Sequence, residues 1–153
     1  MADTEGTKKT LNSLEALQAE AADFVATLTP KSDGATLVTL SGELGAGKTS
    51  FTQGLAKALG IEESITSPTF VLEKVYDLPE ETSRGFARLV HIDAYRLEGS
   101  ESLLPLGLDL LLPDPKNLIV LEWPEMVEGQ LPTPDVAVSI VVEEDITRTI
   151  SYA

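Results

Sequence analysis

LSGELGAGKTSF, residues 40–51, joins the end of an apolar run to three glycines, a lysine and a threonine. Residues 42–49 fit the pattern G-x-x-x-x-G-K-[ST] at every fixed position. The run before them, 35–41, is short, rich in β-branched residues and apolar on both faces, which is typical of a strand buried between layers. Residues 48–59 return to the helical spacing of apolar side chains. The stretch therefore predicts a strand, a phosphate-binding loop and a helix, in that order.

The composition of this loop indicates the class of its ligand. Glycines allow the backbone to curl so that successive N–H groups face inward, and the following helix adds its positive end, so the loop is expected to bind a polyphosphate. We expect Lys48 to contact the β- and γ-phosphoryl oxygens and the Thr49 hydroxyl to take one position on Mg²⁺. The alternative is a glycine turn that only connects a strand to a helix. The predicted nucleotide-contacting residues of the loop are Gly42, Glu43, Leu44, Gly45, Ala46, Gly47, Lys48, Thr49 and Ser50.

Two acids are candidates for the metal-linked carboxylate that such a loop requires. Asp93 ends the apolar run LVHID, and Glu122 ends the apolar run LIVLE. Because the carboxyl ends of parallel strands share one crevice, either acid could orient a metal-bound water. If the strand over 86–93 were antiparallel, however, Asp93 would lie at the other edge of the sheet. Each acid could also be a solvated strand end.

The rest of the chain predicts an α/β domain. A helix is expected to begin at Asn12 or Ser13, and a shorter helix is expected near 102–112. These elements predict a single three-layer α/β domain over 12–153, with a mainly parallel sheet and antiparallel edge strands, after a flexible tail over 1–11. Further strands are predicted at 69–76, 86–93, 117–122, 136–142 and 146–152.

Charge and composition narrow the possible functions. The chain carries 25 acidic and 11 basic residues, so its net charge of −14 disfavours direct binding to nucleic acid. After Arg96 the only basic residues are Lys116 and Arg148, which suits a basic protein partner better than a phosphate backbone. The absence of cysteine excludes disulfides and thiol catalysis. A polar start and the lack of a membrane-length apolar stretch lead us to expect a cytoplasmic protein.

Several segments together resemble a known family. The segments are GELGAGKTSFTQGLAKALGI, ITSPTFVLEKVY, LVHIDAYRLEG, LLPLGLDLLL and VLEWPE. In this order they resemble TsaE, the small bacterial P-loop ATPase of tRNA threonylcarbamoyladenosine biosynthesis, from about residue 12 to the C-terminus. The combination of S-P-T, H-x-D-x-Y-R and E-W-P is far more specific than the loop alone. The resemblance implies a P-loop NTPase-like fold.

The resemblance also implies a function. It implies a Mg²⁺-dependent ATPase that acts on the TsaB–TsaD transferase complex, which transfers the threonylcarbamoyl group, and that meets tRNA only through this complex. Hydrolysis by the isolated protein is expected to be slow until the partners complete the site. Two rivals remain from the residues themselves. A small-molecule kinase would use the same loop, and a regulatory module would bind ATP without hydrolysing it.

Site roles follow from the resemblance residue by residue. Lys48 in the loop would hold the phosphates, and Asp93 would be the metal-linked acid. Glu122 would organise water or metal near the γ-phosphate. Trp123 would lie beside the nucleotide, although its ring could equally serve core packing. A switch-like loop facing the nucleotide would be formed by Ser67, Pro68 and Thr69.

Other residues stay outside the predicted catalytic set. His91 is the only histidine, and a lone strand histidine is more often a structural donor than a base. Arg96 could stabilise developing charge or form a surface ion pair. The first helix departs from the family pattern, which has threonine and then glycine close to the adenine, where this chain offers Ala16, Leu17 and Ala21. The adenine-contacting residues are therefore unassigned.

Overall fold

The computed structural model describes residues 7–43, 45–62, 73–95, 107–144 and 147–153. In chain order its elements are β1 Thr7–Leu11, α1 Leu14–Val25, β2 Thr36–Ser41, α2 Lys48–Ala58, β3 Glu73–Asp77, β4 Arg88–Asp93, α3 Leu108–Leu111, β5 Asn117–Glu122, a 3₁₀ helix Pro124–Val127, β6 Val136–Val142 and β7 Arg148–Tyr152. None of the helices in these ranges is long and apolar enough to cross a bilayer.

One seven-stranded sheet, in the order β1-β7-β6-β2-β5-β4-β3, organises the domain. The four central strands β6, β2, β5 and β4 run parallel. The edge pairs β6–β7, β1–β7 and β3–β4 are antiparallel. The predicted α/β class with a mainly parallel sheet and antiparallel edges is confirmed. Since β4 is parallel to β5, the alternative in which β4 opposes the central strands is wrong.

Helices α1 and α2 cover one face of the sheet. The Ser13 hydroxyl caps α1 by accepting a hydrogen bond from the backbone N–H of Ala16 at 3.0 Å, as the sequence predicts. Phe24 of α1 packs on Phe51 of α2, with their ring centroids 5.8 Å apart. On the other face, α3 and the 3₁₀ helix pack on a second apolar cluster that includes Leu108. Helix α1 thus packs against α2 and, through Leu17, against the end of the loop at Gly47.

Some predicted bounds change in the structure. The short helix α3 is confined to Leu108–Leu111, and the predicted residues 102–106 lie outside the described ranges. Residues 69–72 of the strand predicted at 69–76 also lie outside them. Residues 7–11, which the sequence assigns to a flexible tail, instead form β1 on the edge of the sheet. The segment TKKTL has a single apolar side chain, so no alternation reveals it. Its pairing with β7 depends on backbone hydrogen bonds, which every residue type except proline can donate.

A buried acid connects the last strand to α1. Glu20 is 7 % exposed, and its carboxylate accepts a hydrogen bond from the Tyr152 hydroxyl at 2.6 Å. Lys9 of β1 binds the other carboxylate oxygen at 3.2 Å. Burial and then the bond to Glu20 raise the pKa of Tyr152. These side chains, with Phe24 and Val136, line a cavity of about 380 Å³.

We predict that Tyr152→Phe lowers the free energy of unfolding by about 1–3 kcal/mol, because Glu20 then keeps a buried carboxylate oxygen without its donor. Urea unfolding measures this loss. Because folding raises the pKa of Tyr152, its contribution is complete below the ordinary tyrosine value of 10.0 and is lost as pH rises above it. The alkaline loss of stability should therefore be smaller in Tyr152→Phe. The control is Tyr95→Phe at an exposed tyrosine, and equal effects at both positions would contradict the prediction.

Candidate functional site

The glycine loop and both predicted acids lie at one edge of the sheet. In the register of the parallel strands, Glu122 of β5 is the partner of Leu40 in β2 and of Asp93 in β4. Strand β2 ends at Ser41 and continues directly into the loop. The carboxyl ends of three parallel strands therefore bring Asp93, Glu122 and the loop to one crevice, as expected for ligand sites in such sheets.

Glycine is required at particular points of the loop. Gly45 and Gly47 have φ of +82° and +112°, in the left-handed region where side chains are strained. At Gly42 the limit is space, because a Cβ would lie 2.7 Å from the carbonyl oxygen of Ile140. The Ala46 N–H donates to the Glu43 carbonyl at 2.9 Å and closes a turn. The loop then enters α2 at Lys48, so the N-terminal N–H groups of that helix face the same crevice.

Lys48 is the buried cation of this crevice. Its side chain donates to the carbonyl oxygens of Gly42 at 2.5 Å and Glu43 at 3.0 Å. The ammonium also lies 4.2 Å from the ring centroid of Trp123, a cation–π contact. Burial lowers the pKa of Lys48, while the nearby acids, Glu122 first, act in the opposite direction. Two loop carbonyls and the Trp123 ring therefore fix the position of the Lys48 side chain at the start of α2.

Glu122 is held by the histidine next to it. His91 and Glu122 are 0 % and 2 % exposed, and His91 Nε2 lies 2.6 Å from Glu122 Oε2. A carboxylate oxygen accepts, so Nε2 is the donor. The other ring nitrogen, Nδ1, has no hydrogen-bond partner within the described part of the chain. His91 therefore fixes one oxygen of Glu122 and the direction of the carboxylate.

We predict that His91→Leu lowers the free energy of unfolding by about 3 kcal/mol, because a buried carboxylate then loses its charged or polar partner. Chemical denaturation measures the loss. The double variant His91→Leu, Glu122→Leu should recover part of the stability, since it removes both polar groups. A double variant that is destabilised by the sum of the two single losses would show that the pair is not coupled.

Two aromatic residues, Tyr95 and Trp123, lie close to Asp93 and Lys48. The Asp93 carboxylate accepts a hydrogen bond from the Tyr95 N–H at 3.0 Å, and the Tyr95 and Trp123 ring centroids are 4.8 Å apart. Trp123 has φ of +61°, which is rare for a bulky residue, and its N–H donates to the Leu40 carbonyl at 3.2 Å. Such strain is retained where the surroundings fix the backbone, often at functional sites. The Trp123 ring packs both on the core and on Lys48.

The oxygen ligands at this edge of the sheet suit a Mg²⁺ ion that is bound partly by phosphate and water. They do not form a metal site made of side chains alone. Within the described ranges, no three His, Asp or Glu side chains are grouped closely enough to hold a metal ion. Mg²⁺ usually takes one or two carboxylates together with phosphate and water oxygens, and it does not need a cage of side chains. The Thr49 hydroxyl in the first turn of α2 and the carboxylates of Asp93 and Glu122 match that chemistry.

A comparison with family models decides the family. The model described as "Threonylcarbamoyl adenosine biosynthesis protein TsaE" matches residues 11–150. The chain belongs to the TsaE family. The resemblance inferred from the sequence motifs is thereby confirmed, and it places the chain among proteins of threonylcarbamoyladenosine biosynthesis.

Individual TsaE relatives agree over most of the chain. The tRNA threonylcarbamoyladenosine biosynthesis protein TsaE of Treponema pallidum is 41 % identical over 117 residues, covering 76 % of this chain and 81 % of the relative. The protein of the same name from Rickettsia bellii is 38 % identical over 139 residues, covering 90 % and 88 %. The crystal structure of Bacillus subtilis YdiB matches with a TM-score of 0.74 and 29 % identity, covering 99 % of this chain and 87 % of that one.

The structure brings together some, but not all, of the residues that the sequence and the TsaE resemblance single out. Lys48, Asp93, Glu122 and Trp123 share the crevice. Leu44 and the predicted switch residues at 67–69 lie outside the described ranges, so their roles stay predictions.

Sequence reasoning missed two contacts at this TsaE site. The motifs do not assign His91 to the site, although strand alternation places it on the same face as Asp93. Arg148 of β7 donates from Nε to the Ala46 carbonyl at 2.8 Å and from Nη2 to the Gly45 carbonyl at 3.3 Å. The only sequence signal for Arg148 was its rarity as a base in an acidic region.

Proposed function

We propose that this chain is a Mg²⁺-dependent ATPase that hydrolyses ATP to ADP and phosphate. We further propose that it supports tRNA threonylcarbamoyladenosine modification in the cytoplasm by acting on the TsaB–TsaD complex, and meets tRNA only through that complex. The observation that carries the proposal is the buried Lys48 ammonium, tied to the loop carbonyls at the edge where Asp93 and Glu122 end. Membership of the TsaE family supports the biological role.

Binding of the phosphates follows from the donors at the crevice. An ammonium has three N–H donors, and Lys48 directs two toward Gly42 and Glu43, so the remaining donor can serve a phosphoryl oxygen. Loop amides and the N-terminal N–H groups of α2 add further donors and a positive dipole. In the proposal the loop residues 42–50 contact the nucleotide, and Trp123 lies at its side.

Hydrolysis requires a positioned water and compensation of charge. Thr49 and Asp93 would hold Mg²⁺, which would neutralise part of the phosphate charge. Glu122 uses the carboxylate oxygen that His91 does not hold to orient a water for in-line attack on the γ-phosphorus. The bond to the bridging oxygen breaks, ADP leaves, and the water proton passes to Glu122. His91 keeps the carboxylate in that orientation.

Partner dependence is the second part of the proposal. P-loop enzymes that lack part of their catalytic set turn over at roughly 10⁻⁴ to 10⁻² s⁻¹ until a partner completes the site. A net charge of −14 suits a basic surface on the partner.

The test is the release of inorganic phosphate from ATP by the purified chain, alone and with the TsaB–TsaD complex, with and without Mg²⁺. We expect slow release alone, faster release with the complex, and loss of release without Mg²⁺. Lys48→Ala, tested in parallel, measures contaminating activity. Equal rates with and without the partners would refute the partner dependence. Transfer of the phosphate to a metabolite would instead indicate a kinase, and binding without hydrolysis even with the partners would indicate a regulatory module.

A further inference from the structure

Arg148 connects the last strand to the glycine loop. Its guanidinium donates to two consecutive carbonyls, Ala46 at 2.8 Å through Nε and Gly45 at 3.3 Å through Nη2. It is the first residue of β7, about a hundred positions away in sequence. Arginine presents several N–H donors in a planar fork, so one side chain can hold two neighbouring acceptors. The contact is therefore bidentate and fixes the backbone of the loop.

The carbonyls that Arg148 holds determine where the opposite N–H groups point. The N–H and C=O of a trans peptide point in opposite directions, and the described ranges contain no cis peptide. The Gly45 carbonyl belongs to the peptide whose N–H is that of Ala46. This N–H donates to the Glu43 carbonyl, the same acceptor that the Lys48 ammonium binds. The Gly45 and Ala46 carbonyls thus face Arg148, whereas the Gly42 and Glu43 carbonyls face the Lys48 ammonium.

The next peptide follows the same rule. The Ala46 carbonyl, held at 2.8 Å by Arg148, belongs to the peptide whose N–H is that of Gly47. Because the Ala46 carbonyl faces Arg148, the Gly47 N–H points away from the guanidinium. Gly45 and Gly47 both occupy left-handed conformations that glycine enters and leaves easily. Without an external hold, such a loop must lose conformational entropy each time it orders around an anion.

We propose that Arg148 is a positioning residue that holds the glycine loop in its anion-binding conformation before the ligand arrives. The inference rests on the proposed function only in taking a polyphosphate as the ligand of the loop. The guanidinium acts from the outer side through the carbonyls of Gly45 and Ala46. It therefore acts on affinity through preorganisation of the amides and without touching the phosphate.

The test compares Arg148→Gln and Arg148→Lys with a matched control, Arg88→Gln. Arg88 is also a half-buried arginine at the start of a strand, and it bridges Asn117 and Asp114 at the opposite edge of the sheet. Calorimetry measures the affinity of each full-length variant for Mg²⁺·ADP. Hydrogen exchange of the amides at 45–48 is measured without nucleotide.

We expect Arg148→Gln to weaken Mg²⁺·ADP binding about tenfold through lost preorganisation and to speed amide exchange in the loop of the free protein. For Arg148→Lys, both the affinity and the exchange rate should lie between those of the parent chain and Arg148→Gln. An ammonium keeps the charge but lacks the planar pair of N–H donors of a guanidinium. Arg88→Gln should match the parent chain in both measurements. If Arg148→Gln does not fold, Arg148→Lys carries the same comparison.

The outcomes separate the inference from the proposed function. Weaker binding with unchanged exchange in the free protein would overturn the inference in favour of direct contact between Arg148 and the phosphate. Unchanged binding and unchanged exchange would overturn it outright. Absence of nucleotide binding by the parent chain would refute the proposed function. Faster amide exchange in Arg148→Gln would in that case still support the inference that Arg148 restricts the conformation of the loop.

Discussion

We expect Lys48→Ala to lower the affinity of the chain for Mg²⁺·ADP by about 100-fold. This loss corresponds to about 2.7 kcal/mol of binding free energy. The ammonium is buried, oriented by the Gly42 and Glu43 carbonyls, and directed at the crevice. A charged hydrogen bond in such a site is worth more than one at the surface, because little water competes with it. Isothermal titration calorimetry measures the change.

The control for this prediction lies on the same helix. Lys57 is in the last turn of α2 and is exposed, so Lys57→Ala removes the same charge from the same element far from the loop. Its affinity should stay within about twofold of the parent chain, since exposed charges are screened. Equal affinity losses in both variants would show that only net charge matters. Unchanged affinity in Lys48→Ala would remove this lysine from the site.

Glu122→Gln is expected to slow phosphate release by about 10²–10³-fold while leaving the affinity for Mg²⁺·ADP nearly unchanged, because a general base is lost and the fold is kept. Glutamine has the shape of glutamate, and its amide oxygen can still accept from His91 Nε2. It cannot accept the proton of the attacking water. The rate of phosphate release from ATP is measured in the presence of the TsaB–TsaD complex, because we expect faster release with the complex than from the chain alone.

An exposed acid nearby provides the comparison. Glu128 follows the 3₁₀ helix, and Glu128→Gln makes the same chemical change in solvent. Its release rate should equal that of the parent chain. If Glu122→Gln keeps the full rate and Asp93→Asn loses it, the roles proposed for the two acids are reversed.

Sequence patterns predict those parts of the fold that are specified locally. The glycine loop, β2 and α2 follow from a motif and two changes of periodicity within 25 residues, 35–59. Strand β5 is visible as a continuous apolar run. The sequence does not predict β1, because its two lysines and two threonines give no alternation of apolar and polar side chains. The strand forms through backbone hydrogen bonds with β7.

The sequence identifies residues of the candidate site, but it does not show which of them contact each other. Asp93 and Glu122 could be named from their positions at strand ends, yet their proximity depends on strand direction, which a local pattern does not contain. The parallel register of β4 and β5 makes them neighbours. The bonds from His91 to Glu122 and from Arg148 to the loop join positions 31 and about 100 residues apart, so only the assembled sheet reveals them.

The most direct measurement of the central claim is a titration of the isotope-labelled chain with Mg²⁺·ADP, followed through its backbone amide resonances. The account predicts saturable shifts that are largest at Gly45, Gly47, Lys48 and Thr49, because it places the phosphates at the N–H groups of the loop and of the first turn of α2. Residues lining the cavity at Glu20 and Tyr152 should not shift. Largest shifts at that cavity, or no saturable shift in the loop, would contradict the account.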